Sequence, residues 1–164
     1  VKKPADIFQE PGTNGLEHVP VRQLEAQDLD AVVRIDARHS GRSRREYYQR
    51  KIAEALRESG VRISLAASTD GCFAGFLLGR VYFGEFGVPE AVAIIDSIGV
   101  DPTFAGKKVG AALLAQLESN MRALGVDRIQ TQVEWDSFRL LGFLDSMGFG
   151  PAPVLTLEKH LGNS

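Results

Sequence analysis

The stretch from Ile94 to Leu114 constrains the fold of this chain more than any other. It holds an apolar run (Ile94-Ile-Asp-Ser-Ile-Gly-Val100), a proline turn at Asp101-Pro102, a short Gly/Lys segment, and then apolar residues at helical spacing. The first run reads as a buried strand. Val109, Leu113, Leu117 and Met121 form one helix stripe, with Leu114 and Leu124 beside it. A strand that feeds a helix in this way implies a β-α-β crossover, parallel and right-handed, in a sheet with helices on its faces. The turn between them aims free backbone N–H groups and the positive end of a helix at one point, an arrangement that binds phosphate or pyrophosphate.

The remaining elements follow from periodicity and punctuation. Residues 1–17 contain Pro4, Pro11, Gly12, Asn14 and Gly15 without apolar periodicity and read as a flexible N-terminal arm, leaving 18–164 as one domain. A strand is expected over 18–24, and Glu25 to Asp30 leads into a helix carrying Leu29, Val32, Val33 and Ile35. Gly41 breaks the chain, Ser43 precedes a second helix that runs to about Ser59, and Gly60 stops it. Strands over 61–68 and 73–83 flank the hairpin turn Thr69-Asp70-Gly71, and a loop over 84–90 precedes the strand 91–100. Gly99 inside that strand marks a bulge or a close approach. Gly125 ends the next helix. A strand over 129–133, a helix over 136–147 capped by Gly148, and a terminal strand over 154–157 complete the order βααβββαβαβ. The fold class is α/β (mixed α+β), a mixed central sheet flanked by helices.

Charge and composition exclude several functions. A net charge of −2 and a pI near 5.9 argue against a dedicated nucleic-acid surface, and so against a nucleic-acid partner. Lys51 to Ala67 has some look of a helix-turn-helix, but the residues after Gly60 suit a strand better than a recognition helix. No apolar run reaches about 18 residues and the N-terminal residues show no apolar signal region, which points away from a membrane. The one cysteine, Cys72, allows no intrachain disulfide, reads as a half-buried structural residue, and fits a cytoplasmic location. His18, His39 and His160 share no metal-ligand spacing, so no metal is expected and no role is assigned to them. No P-loop and no dinucleotide-binding glycine pattern occurs.

The element order, with a Gly/Lys turn after the fourth strand, resembles the GCN5-related N-acetyltransferase (GNAT) family over about residues 18–158. Val100-Asp-Pro-Thr-Phe104 is similar to the family's Val-x-Pro-x-Tyr/Phe run. Ala105-Gly-Lys-Lys-Val-Gly110 stands where the family has Arg/Gln-x-x-Gly-x-Gly/Ala, its acetyl-CoA pyrophosphate loop. Ala105 replaces the Arg or Gln, and Lys108 replaces the first motif glycine. The latter is tolerable if the backbone φ at 108 stays negative. The resemblance implies acetyl-CoA as cosubstrate, with Ala105, Gly106, Lys107, Lys108, Val109, Gly110 and Ala111 around the pyrophosphate. The backbone of Ile98, Gly99 and Val100 would hold the thioester oxygen. Lys107 and Lys108 add positive charge beside a dianion.

Gly148-Phe149 is similar to the end of a second family motif, Asn-x-x-Ala-x-x-Phe/Leu-Tyr-x-x-x-Gly-Phe. That register places Ser137 at the Asn, where it bonds the cofactor or caps the helix, and Leu144 at the Tyr that serves as general acid. Leucine cannot donate a proton. A thiol of pKa about 8.5 is already a tolerable leaving group, and a positioned acid contributes about 10²–10⁴-fold, so a slower enzyme, a water-mediated proton or another donor is implied. Tyr47, Tyr48 and Tyr82 all lie outside the motif.

An amine acceptor of pKa about 10.4 must lose a proton to attack. Asp96, a charged residue inside an apolar strand where the family often carries an acidic base, is the candidate base. A structural hydrogen-bond acceptor is the alternative reading. Glu134 is the reserve base, or a solvated strand end. The basic, aromatic segment His39–Lys51 shapes the acceptor side in such proteins and can meet an acidic acceptor, or it is a solvated helix face. The resulting expectation is acetyl transfer to a primary amine of a small molecule or protein, with a homodimer allowed. The competing expectation is a domain of the same fold that binds acyl-CoA or a partner and transfers nothing.

Overall fold

Ala74, Phe76, Leu77 and Leu78 lie within the longest strand among the described residues, and this run is buried on both faces. The computed structural model describes residues 18–57 and 63–162. The expected N-terminal arm, the stop at Gly60 and the strand start at Val61 lie outside the described residues. Two compact units divide the chain, Val1–Gln132 and Val133–Ser164.

In the first unit, β1 (Val21–Gln23), α1 (Leu29–Ser40), α2 (Arg45–Arg57), β2 (Leu65–Thr69), β3 (Cys72–Tyr82), β4 (Val92–Val100), α3 (Val109–Ala123) and β5 (Ile129–Thr131) follow one another. The sheet order is β1-β2-β3-β4-β5. All neighbours are antiparallel except β4 and β5, which are parallel across the α3 crossover. Asp70 (φ 52°) and Gly71 (φ 74°) form the expected β2–β3 hairpin turn, whose two left-handed residues match the twist of the strands.

Helices cover both faces. Val32, Val33 and Ile35 of α1 and Tyr48 and Ile52 of α2 cluster with Leu24, Ala66, Phe76 and Leu78. On α3, Leu113, Leu114, Leu117 and Met121 are essentially inaccessible, as the helix stripe requires, and each such burial contributes about 2 kcal/mol. Gly75 admits this packing: a Cβ there would stand 2.8 Å from Val109 Cγ1 and 2.9 Å from the Gly99 carbonyl oxygen. Before α1, the Glu25 N–H donates to Asp28 Oδ2 at 2.8 Å while Arg22 grips both Asp28 oxygens at 2.7 Å. After it, Gly41 at φ 73° returns its N–H to the Ala37 carbonyl at 2.9 Å.

The second unit holds α4 (Phe138–Ser146), ended by Gly148 at φ 85°. The expected terminal strand over 154–157 is absent. This segment takes no regular structure, and Val154, Leu155 and Leu157 are exposed. Its apolar residues do not alternate strictly, and Pro151 and Pro153 just before it bring no N–H to a ladder. Residues 65–69, which a helix-turn-helix would make helical, are strand. Cys72 is exposed, a correction to the half-buried role, because it stands at the hairpin's end rather than in the strand's covered middle.

Candidate functional site

Midway along β4 the sheet changes character. Ile95 lies opposite Gly79 on β3 and Ser97 opposite Leu78, so Asp96 is an extra residue without a partner, a β-bulge. On the other side, pairing with β5 covers only Ala93 to Ile95, and the Thr131 hydroxyl donates to the Ile95 carbonyl at 3.0 Å where it ends. From Ser97 to Val100, therefore, β4 has a strand neighbour on one side only. Gly79 faces the bulge because a Cβ there would meet the Ile94 carbonyl oxygen at 2.8 Å. Gly99 serves a close approach, as one of its two readings required: its Cβ would lie 2.7 Å from the Phe76 ring.

Beyond β4 the chain turns sharply. The Asp101 N–H donates to the Ala74 carbonyl at 2.8 Å, and Asp101 Oδ1 caps a short 3-10 turn over Pro102–Phe104 by accepting from the Thr103 N–H at 2.9 Å. Burial pushes the Asp101 carboxyl up. The N–H and hydroxyl of Thr103 and the Arg38 guanidinium outweigh it and hold the group below the usual carboxylate range. Gly106 then adopts φ 80° and Lys108 φ 57°. The condition for tolerating lysine at 108 is thus not met. The position demands the left-handed conformation, and lysine carries a cost there of about 1 kcal/mol that glycine would not.

That conformation has a geometric consequence. The first α-type bond of α3 runs from the Ala112 N–H to the Lys108 carbonyl at 3.0 Å, so the N–H groups of Lys108, Val109, Gly110 and Ala111 have no acceptor among the described residues. Free amides at a helix start suit an anion, and these follow the half-paired end of β4 in the chain. The Lys108 side chain makes no ion pair among the described residues. Lys107 instead pairs with Asp70 of the hairpin turn at 3.2 Å, an exposed contact of small energetic weight.

Asp96 is partly buried and accepts from Arg80 Nη2 at 3.1 Å. The Arg80 guanidinium also stands 5.1 Å from the Tyr82 ring centre, while its buried Nε has no partner. A small cavity beside this pair is lined by Lys51, Glu54 and Ala55 of α2 and by Gly79, Arg80 and Asp96 of the sheet. Ile98, Gly99, Val100 and the segment 105–111 thus lie along one continuous path from the bulge to the start of α3. Glu134 and Ser137 belong to the second unit. Glu134 is exposed, and its carbonyl accepts from the Ser137 N–H at 3.0 Å. Ser137 precedes α4 but makes no side-chain capping bond, and Leu144 is buried within that helix.

Sequence reasoning missed the side chains that hold this path. His39, which had no role, sits with Nε2 2.7 Å from the Val100 carbonyl, so that nitrogen carries the proton. Arg38 Nη1 reaches Asp101 Oδ1 at 2.6 Å and the Thr103 hydroxyl at 3.0 Å. Tyr48 meets Ser97, the residue after the bulge. These partners are about fifty to sixty residues apart in the chain, and no local spacing signals such contacts. No group of His, Cys, Asp or Glu suited to a metal ion occurs among the described residues, and no helix among them is long and apolar enough to cross a membrane.

The acetyltransferase (GNAT) family model matches residues 27–149. Among solved structures, an aminoglycoside N-acetyltransferase in complex with CoA aligns with a TM-score of 0.72 at 16% identity, over 88% of this chain and 96% of that one. A ribosomal-protein-alanine N-acetyltransferase from Brucella melitensis gives 0.69 at 16% identity, over 88% and 100%. A transcriptional regulator from Bacillus halodurans gives 0.68 at 20% identity, over 88% and 100%. These likenesses are likenesses of fold.

Proposed function

The chain belongs to the acetyltransferase (GNAT) family, and from that premise we propose that it is an acyl-CoA-dependent N-acyltransferase moving an acetyl group from acetyl-CoA to a primary amine. One observation carries this reading. The unpartnered amides of Lys108 to Ala111 and the half-paired end of β4 lie on one path, with a carboxylate at its upstream edge. The amides at the start of α3 suit the cofactor's pyrophosphate, and Lys108 adds charge there. The open edge of β4 at Ile98 to Val100 offers backbone groups to the pantetheine arm and to the thioester oxygen. Ser137, the cofactor contact that the family resemblance offers, belongs to the second unit.

In the reaction, the acceptor nitrogen attacks the thioester carbonyl in a ternary complex. The C–N bond forms, the C–S bond then breaks, and the electron pair leaves with the CoA sulfur. Asp96 takes the proton of the amine, directly or through water, with Glu134 in reserve. The acceptor approaches from the side of the cavity between α2 and the sheet, where Lys51, Glu54, Arg80 and Asp96 present charges of both signs. The sulfur departs without a tyrosine at 144, which predicts slow turnover rather than none.

Leu144 also favours a second reading, a family member that binds acyl-CoA and transfers nothing. Release of free CoA from acetyl-CoA, measured with pools of small amines, polyamines and peptides, separates the two. Amine-dependent release that Asp96→Asn abolishes supports the enzyme. Tight CoA binding that no amine pool converts into turnover supports the binding domain.

A further inference from the structure

A buried polar network that the proposed chemistry leaves unused ends one residue from Asp96. Tyr48 is almost wholly inaccessible, and its hydroxyl donates to Asp36 Oδ1 at 2.9 Å. A phenol has one proton, so at the 3.1 Å contact the Ser97 hydroxyl donates and Tyr48 accepts. Arg44 closes the other end. Its Nε donates to Asp36 Oδ2 at 2.9 Å, its Nη2 bonds Oδ1, and its guanidinium lies 5.6 Å and 5.7 Å from the Tyr47 and Tyr48 ring centres. Burial pushes the Tyr48 hydroxyl up to about 12, so it remains a neutral donor.

A polar network in this place needs a reason. Asp36 and Tyr48 are buried while the Arg44 side chain is 39% exposed, and apolar residues would fill the buried part at least as well, because a buried carboxylate must be desolvated. What the network supplies instead is register. Strand side chains alternate between faces, so moving the extra residue of a bulge by one position turns the neighbouring side chains to the other face. No β5 partner restrains β4 beyond Ile95, and the ladder to β3 slips at this point. Ser97, bonded to Tyr48, is the first residue after the slip. We propose that Tyr48, held by Asp36 and Arg44, is a positioning residue that pins the β4 bulge through Ser97 and so presents the Asp96 carboxylate to the acceptor side. This rests on the assignment of Asp96 as base.

The test uses Tyr48→Phe, which removes only the hydroxyl, and Ser97→Ala, which removes the far end of the contact. Amide hydrogen exchange and steady-state kinetics are read on each. Exchange over residues 95–99 is expected to quicken about tenfold with the rest of the sheet unchanged, the size of one lost buried hydrogen bond. kcat should fall about tenfold, with KM for acetyl-CoA within about twofold. The double variant should be no slower than either single one, since both break the same link. Unchanged exchange at 95–99, unchanged kcat, or losses that multiply in the double variant overturn the proposal. If Tyr48→Phe fails to fold, Ser97→Ala carries the same readouts. A wild-type protein that transfers to no amine removes the enzyme reading. Exchange then decides alone whether the network pins the bulge: faster exchange confined to 95–99 sustains it, and unchanged exchange refutes it.

Discussion

From Ala93 to Ile95, β4 is bonded to a strand on each side, whereas from Ser97 to Val100 only β3 remains and side chains of α1 and α2 take over. In the first half the main-chain donors and acceptors satisfy one another. In the second, one edge has no strand partner, and Tyr48, His39 and Arg38 hold the strand at Ser97, Val100 and Asp101. The same strand thus separates two duties. A full ladder gives rigidity and leaves no polar group for chemistry, while a half ladder exposes backbone groups and needs anchors of another kind.

Substitutions on either side of the bulge should break or sharpen that division. Asp96→Asn keeps the shape of the side chain and is expected to lower amine-dependent turnover by about a hundredfold or more, with CoA affinity unchanged in a direct titration. Ile95→Ala, one residue earlier, should do the reverse. It costs about 3 kcal/mol of stability in denaturant melts, while the folded fraction turns over normally. An Ile95 variant that lost turnover without losing stability would erase the distinction. Arg38→Ala leaves the buried Asp101 carboxylate with Thr103 alone. It should cost about 2 kcal/mol and weaken CoA binding several-fold, as the turn into α3 loosens.

Acidification provides a graded test of the anchors. Hydrogen bonds from Arg44, against an opposing burial effect, hold Asp36 below the usual carboxylate range, and Asp101 is held below it as well. Groups with depressed folded values contribute stability that is present above the unfolded value of 3.8 and is lost as pH falls through the folded one. Thermal melts should therefore be flat from neutral pH to about 5 and decline below about 4, less steeply in Asp36→Asn. The smallest effect is expected at Lys108. Lys108→Gly relieves the left-handed conformation at some entropic cost, raising stability by up to about 1 kcal/mol, and loses one cation, weakening CoA binding about two- to threefold.

Elements with strong local patterns were legible in the sequence. The α3 stripe, the Asp70-Gly71 hairpin and the glycine stops at 41, 125 and 148 are local signals, and each stands where its residues put it. The apolar segment 154–157 shows the limit of such reading, since a strand exists only where another backbone completes its bonds. Lys108 shows another: residue type biases φ, but the turn around it decides. The path from β4 to α3 was visible as a motif. Its supports were not, because Tyr48 with Ser97, His39 with Val100 and Arg38 with Asp101 meet only after the chain has folded.

The most direct test of the account is amide hydrogen exchange with and without saturating CoA. The account predicts marked slowing at Lys108 to Ala111 and at Ile98 to Val100, with little change at Ala93 to Ile95, where the ladder is already complete. CoA binding that protects neither the start of α3 nor the half-paired end of β4 would contradict it.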